Sequence, residues 1–162
     1  MEKTQTPLSA KRIYRIKCQG FTAYSDEEIT QLAFANRFPM IICLILLGVG
    51  VALANIPVLV VLLVVSALSI VLPYHVFDYL YNHWLRHKMN KPKLHRRSNQ
   101  LKFACFLATS WTAVNIYLFA NGHMTAGYIS GAAMFCVPLL LTTTDYCIPS
   151  KIYNFLFRIK IQ

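Results

Sequence analysis

Four stretches of this chain carry no charged residue. They are Phe38–Ala54, Pro57–Leu72, Phe103–Ala120 and Thr125–Thr144. A helix rises 1.5 Å per residue and the hydrocarbon core of a bilayer is about 30 Å thick, so roughly 17 to 25 residues cross it. The first two runs sit at the short end and borrow interfacial neighbours such as Asn36, Tyr74 and His75. Asn55-Ile56 and Asn121-Gly-His-Met124 are too short for anything but tight turns. The pattern predicts an all-α, polytopic integral membrane protein whose four transmembrane helices form two helical hairpins. A soluble bundle would need a polar face on every helix, and the first two runs have none.

Polar segments flank these runs. Residues 1–24 form an N-terminal arm, residues 25–147 the membrane domain, with its long loop at 73–102, and residues 148–162 a tail. Ser25 stands three residues before Glu28 in a capping-box arrangement, and Asp26, Glu27 and Glu28 suit the positive end of a helix dipole. Ile29, Leu32 and Ala33 then share a face, which predicts a short amphipathic helix lying on the membrane and leading into span one. In the loop, Val76, Phe77, Leu80, Tyr81, Trp84 and Leu85 trace a second apolar stripe. Tyr81 and Trp84 are its interfacial anchors. Lys91, Lys93, Arg96 and Arg97 follow, placed to meet anionic lipid headgroups.

Composition sharpens this picture. Charged residues make up 14% of the 162, against about a quarter in a soluble domain. The formal net charge is +10. Nucleic-acid binding is a common meaning of such basicity, but it leaves the uncharged runs unexplained, so no nucleic-acid partner is expected. All 16 Lys and Arg lie before span one, between spans two and three, or after span four. The positive-inside rule makes that side the cytoplasm, with both termini there, in the cell's inner (plasma) membrane.

Candidate chemistry is sparse. Of the 5 cysteines, Cys43, Cys105 and Cys136 fall inside spans as small apolar packing residues. Cys18 and Cys147 lie near the cytoplasmic surface and are the candidate thiols. His83 and His87 are spaced to share a metal on one helix face, but two ligands do not fill a tetrahedral site. No cofactor is implied. Gly127 and Gly131 form a GxxxG in span four, and Ala104 and Ala108 a small face on span three, so these two spans are expected to pack closely through them. In Thr142-Thr-Thr-Asp-Tyr-Cys147 the threonines can bond backbone carbonyls at a fraying helix end. Asp145 falls at or beyond the membrane boundary, where an ionised carboxylate is tolerated.

Three features together resemble a family of small bacterial four-span membrane proteins known as a domain of unknown function. They are Cys18 followed by Asp26-Glu27-Glu28, then Lys91-Pro92-Lys93 with Lys102-Phe103-Ala104, and finally Tyr146-Cys147-Ile148-Pro149-Ser150 with Tyr153. The resemblance implies a Cys-x-x-Cys at the end of span four, where this chain carries Ser150 in place of the second cysteine. A Cys-x-x-Ser cannot cycle between dithiol and disulfide, although a lone thiolate can form mixed disulfides or carry a persulfide.

The expected role is therefore an accessory or scaffold component of a membrane complex, with partner subunits. A thiol or sulfur relay using Cys147 and Cys18 is the alternative, and a small-molecule channel a weaker one. The topology is checked directly by labelling. Single cysteines at Asn55 and Asn121 should react with a membrane-impermeant maleimide in intact cells, and one at Ser98 should not.

Overall fold

The computed structural model describes residues 8–159, and all the regular structure among them is helical. α1 spans Ala10–Lys17, α2 Asp26–Ala52, α3 Ile56–Val71, α4 Val76–Leu80, α5 Arg86–Met89, α6 Asn99–Ala120, α7 Met124–Thr144 and α8 Ile148–Leu156. Tyr81–Leu85 is a π turn joining α4 to α5. Three helices, α2, α6 and α7, are long and apolar enough to cross a membrane. α3 passes only together with Val76–Met89, from which it is bent by 79°, so the chain has three or up to four candidate spans.

The capping box forms as expected: Ser25 accepts from the Glu28 backbone N–H, and Glu28 reaches back to the Ser25 N–H. The helix it starts does not stop at a membrane surface. It continues through Pro39 as one 27-residue helix, so the expected lead-in and the first span are a single element. No charged residue interrupts residues 38–52 to end it earlier. Asn55 and Ser98 cap α3 and α6 by accepting from Val58 and Leu101 N–H groups.

α2, α3, α6 and α7 close into a ring in which α2 touches α3 and α7, and α6 touches α3 and α7. The hairpin end is apolar: Leu47, Val51, Leu59, Leu62, Phe119 and Met134 form its core. The other end carries α1, α4, α8 and the loop. The glycines of α7 do serve close packing, but not as one seam against α6. A Cβ on Gly127 would lie 2.6 Å from Phe119 of α6, whereas one on Gly131 would lie 2.5 Å from Val51 of α2. Four residues advance a helix face by only about 40°, yet this is enough for α7 to present Gly131 to a different neighbour. Ala104 and Ala108 pack against the two core clusters instead.

Two residues expected at the lipid surface are buried. Tyr81 packs against Leu32, Ala35, Leu94 and Phe38, because it lies three residues after Asp78 on the same inward face of the helix. Trp84, three residues on, stays exposed with Lys88 over its ring. Arg97 is also inside, for a reason set out below, while Lys93 and Arg96 remain exposed. α8 forms where a tail was expected. It buries Ser150 and Asn154 and exposes Phe155 and Leu156, with Phe157 exposed just beyond its end.

Candidate functional site: a thiol-lined cavity above a buried ion-pair network

The polar end of the bundle is held by a continuous chain of buried side chains. Asp78, in the first turn of α4, takes a two-pronged bond from Arg97: Nε to Oδ2 at 2.6 Å and Nη2 to Oδ1 at 2.7 Å. Both side chains are at most 4% exposed. The third guanidinium arm, Nη1, donates to Asn36 Oδ1 of α2 at 2.9 Å. Asn36 Nδ2 in turn donates to Gln19 Oε1 at 3.0 Å, and Gln19 Nε2 to the Asp145 carbonyl at 2.9 Å. The Asp145 carboxylate takes Arg12 Nε at 2.8 Å and a two-pronged contact from Arg37.

Asp145 is thus not an exposed carboxylate at a helix exit. It is 1% exposed and closes α7 in a left-handed conformation (φ +59°) that short polar residues tolerate. Two arginines from α1 and α2 neutralise it, which is why burial is possible. The threonines behave as expected: Thr142, Thr143 and Thr144 donate to the carbonyls of residues 138–140.

The N-terminal arm belongs to this network. Ser98 Oγ donates to the Gln19 carbonyl, and Asn154 Nδ2 donates to the Cys18 carbonyl at 2.8 Å. Gly20 (φ +98°) turns the chain where a Cβ would sit 2.4 Å from Ser98 Cβ, so only glycine fits.

Inside this frame lies a cavity of about 190 Å³. Its walls come from α2, α3, α6, α7 and the start of α8, and nearly all are aliphatic. Three thiols face it, Cys43, Cys105 and Cys147, with the thioethers of Met40 and Met134. Trp111, Ile148 and Ile152, all exposed, edge it. His75 is its one imidazole and is 2% exposed. His75 Nδ1 accepts from the Phe77 backbone N–H at 3.3 Å, and Nε2 lies 3.7 Å from Cys43 Sγ. Burial first, and then the neighbouring Arg97 cation, push its pKa down to about 4, so the ring is neutral at pH 7.

The two thiols singled out from sequence are placed differently. Cys18 and Cys147 are both buried. Cys147 faces the cavity, where Ser150 Oγ donates to its Sγ at 3.0 Å. Cys18 is held by the arm and does not line the cavity. Burial pushes the Cys147 thiol up, and the Ser150 bond offsets this only in part. The dominant cause is therefore desolvation rather than the nearby Asp145. His83 and His87 are exposed on the π turn and α5. No group of three His, Cys, Asp or Glu able to hold a metal occurs among the described residues. Cys43, Cys105 and His75, taken from sequence as packing or boundary residues, are the ones the fold brings together. Their only advance signal is that helical spans of this length can converge sulfur groups from different hairpins.

With the geometry in hand, the comparison with known proteins is short. The profile of the domain of unknown function DUF4395 matches residues 34–158. The chain belongs to the DUF4395 family. Neither the curated proteins nor the solved structures yield a match. The DUF4395 match starts inside α2 and ends after α8, so it takes in every wall of the cavity, whereas Gln19 and Arg12 lie before it.

The raised Cys147 pKa has a measurable consequence. In folded protein at pH 8, Cys147 should be alkylated by iodoacetamide more slowly than an unperturbed thiol, since the thiolate is the nucleophile. Mass spectrometry after timed quenching reads this out. Alkylation at the rate of free cysteine would show that the thiol is not buried.

Proposed function

We propose that this DUF4395 protein is an integral membrane binding protein. It holds a small apolar molecule taken from the bilayer and acts as an accessory component of a membrane assembly rather than as a self-contained enzyme. The observation that carries this is the cavity: about 190 Å³, almost wholly apolar, with lipid-compatible residues at its edge. A dry cavity of about 150 Å³ is enough to bind benzene. An unfilled apolar space of this size also costs stability, so occupancy would be favourable.

The polar groups nearby support a binding role over a catalytic one. Asp78, Arg97, Asn36 and Asp145 satisfy one another, and none lines the cavity. The orientation with both termini in the cytoplasm rests on the charge partition and places the ion-pair network on the cytoplasmic side. The contact of Lys93 and Arg96 with anionic headgroups rests on the same partition. A thiol relay is the second reading. The convergence of Cys43, Cys105 and Cys147 on one cavity favours it with those residues, in place of the Cys147–Cys18 pair.

The test is ¹⁹F NMR of a fluorinated toluene added to the protein in lipid nanodiscs. A bound resonance that saturates at one equivalent is expected for the parent. Ala108→Trp, which fills the cavity, should abolish it. A single bilayer resonance, identical in parent and variant, would refute binding in the cavity.

A further inference from the structure

The cavity wall is not chemically neutral. His75 accepts the Phe77 N–H through Nδ1, so in the neutral ring the proton must reside on Nε2. That N–H faces Cys43 Sγ at 3.7 Å, and both groups line the cavity. A thiol sulfur is a weak acceptor. The donor is therefore buried, fixed in direction and poorly matched. A buried donor left without a good acceptor costs more than a typical net hydrogen bond contributes.

His75 is also held firmly. Its backbone N–H donates to Asp78 Oδ2 at 2.9 Å, the same carboxylate that receives Arg97. The ring cannot swing out without giving up the Phe77 N–H bond that its Nδ1 accepts at the start of α4. Besides His75 and the thiols, the polar groups on the wall are the Ser66 hydroxyl, on α3, and the Trp111 indole, whose Nε1–H already donates to Ser130 Oγ at 3.0 Å.

From these features we infer that the natural ligand is a quinone-type head group: an apolar ring carrying a carbonyl oxygen, which accepts the His75 Nε2–H. This rests on the binding reading above. The volume suits one substituted six-membered ring, somewhat more than the benzene that a 150 Å³ cavity accepts. A linear acyl chain would fill the space less well and would offer its carbonyl only at the headgroup depth. At the exposed edge of the cavity stands Trp111, whose indole can stack on the ring. Any tail remains in the bilayer beyond Ile148 and Ile152.

Duroquinone and durene provide a matched pair, with the same tetramethylated ring with and without its two carbonyls. Duroquinone has no free ring position for a thiol to add to. Each competes with the fluorinated toluene in nanodiscs, with concentrations corrected for partition into the lipid. Duroquinone should displace the probe at least about fivefold more tightly than durene, the effect of one good hydrogen bond. Equal displacement would leave the cavity reading intact and overturn the carbonyl inference. No displacement by either, where the probe itself does not saturate, would remove both.

Two variants assign the donor. His75→Asn keeps a capping side chain for α4 but is too short to reach the ligand, so the duroquinone advantage should vanish while durene still binds. In Cys43→Ala the Nε2–H has no competitor, and the advantage should persist or grow. Loss of the advantage in Cys43→Ala would assign it to the thiol and overturn the role of His75. That arm decides the matter even if His75→Asn does not fold.

Discussion

The two-pronged bond between Arg97 and Asp78 is the constraint on which the rest of this end of the bundle depends. Two charges at most 4% exposed are tolerated only because each finds several partners. Asp78 takes the guanidinium and the His75 N–H, while Arg97 spends its remaining arm on Asn36. Through Asn36 the pair reaches Gln19, and through Gln19 the end of α7. Removing one partner from such a pair leaves an unpaired buried charge and costs about 3–5 kcal/mol. A network of this kind therefore specifies one arrangement of α2, α4, α6 and α7 relative to the N-terminal arm.

That arrangement is what leaves room for the cavity. Helices in an apolar solvent gain little from burying apolar surface against one another, so close approach must come from small residues and polar bonds. Here the two means are separated along the bundle. Gly50, Gly127 and Gly131 draw the helices together at the hairpin end, with Leu59, Phe119 and Val51 at the contact points. The ion pairs hold the opposite end at a fixed spacing. Between them the walls meet imperfectly, and His75, anchored by the same carboxylate that holds Arg97, is presented to the space that remains.

The apolar runs were legible from sequence because a span needs a length and a lack of charge, both of which are local properties. The capping box at Ser25 and the threonine back-bonds were legible for the same reason. Asp145 was misjudged because its position along the helix suggested a water-exposed boundary, while its burial depends on Arg12 and Arg37, more than 100 residues away. Tyr81 and Arg97 lie inward for a related reason: Tyr81 shares the buried face of Asp78, and that same acid claims the Arg97 guanidinium. The cavity was invisible, since it is defined by side chains from five helices. Gln19 and Asn36 gave a faint signal as neutral polar residues beside apolar segments.

The central claim is that the buried chain from Asp78 to Asp145 pins the N-terminal arm to the bundle. Hydrogen–deuterium exchange in nanodiscs, comparing the parent with Asn36→Leu, tests it most directly. Asn36→Leu removes the middle link and leaves both ion pairs in place. In the parent, amides of residues 16–20 should be protected as strongly as those of α8. In the variant they should exchange at least about tenfold faster, while the centres of α6 and α7 keep their protection. An arm that exchanges at the rate of an unstructured segment in the parent would contradict the account.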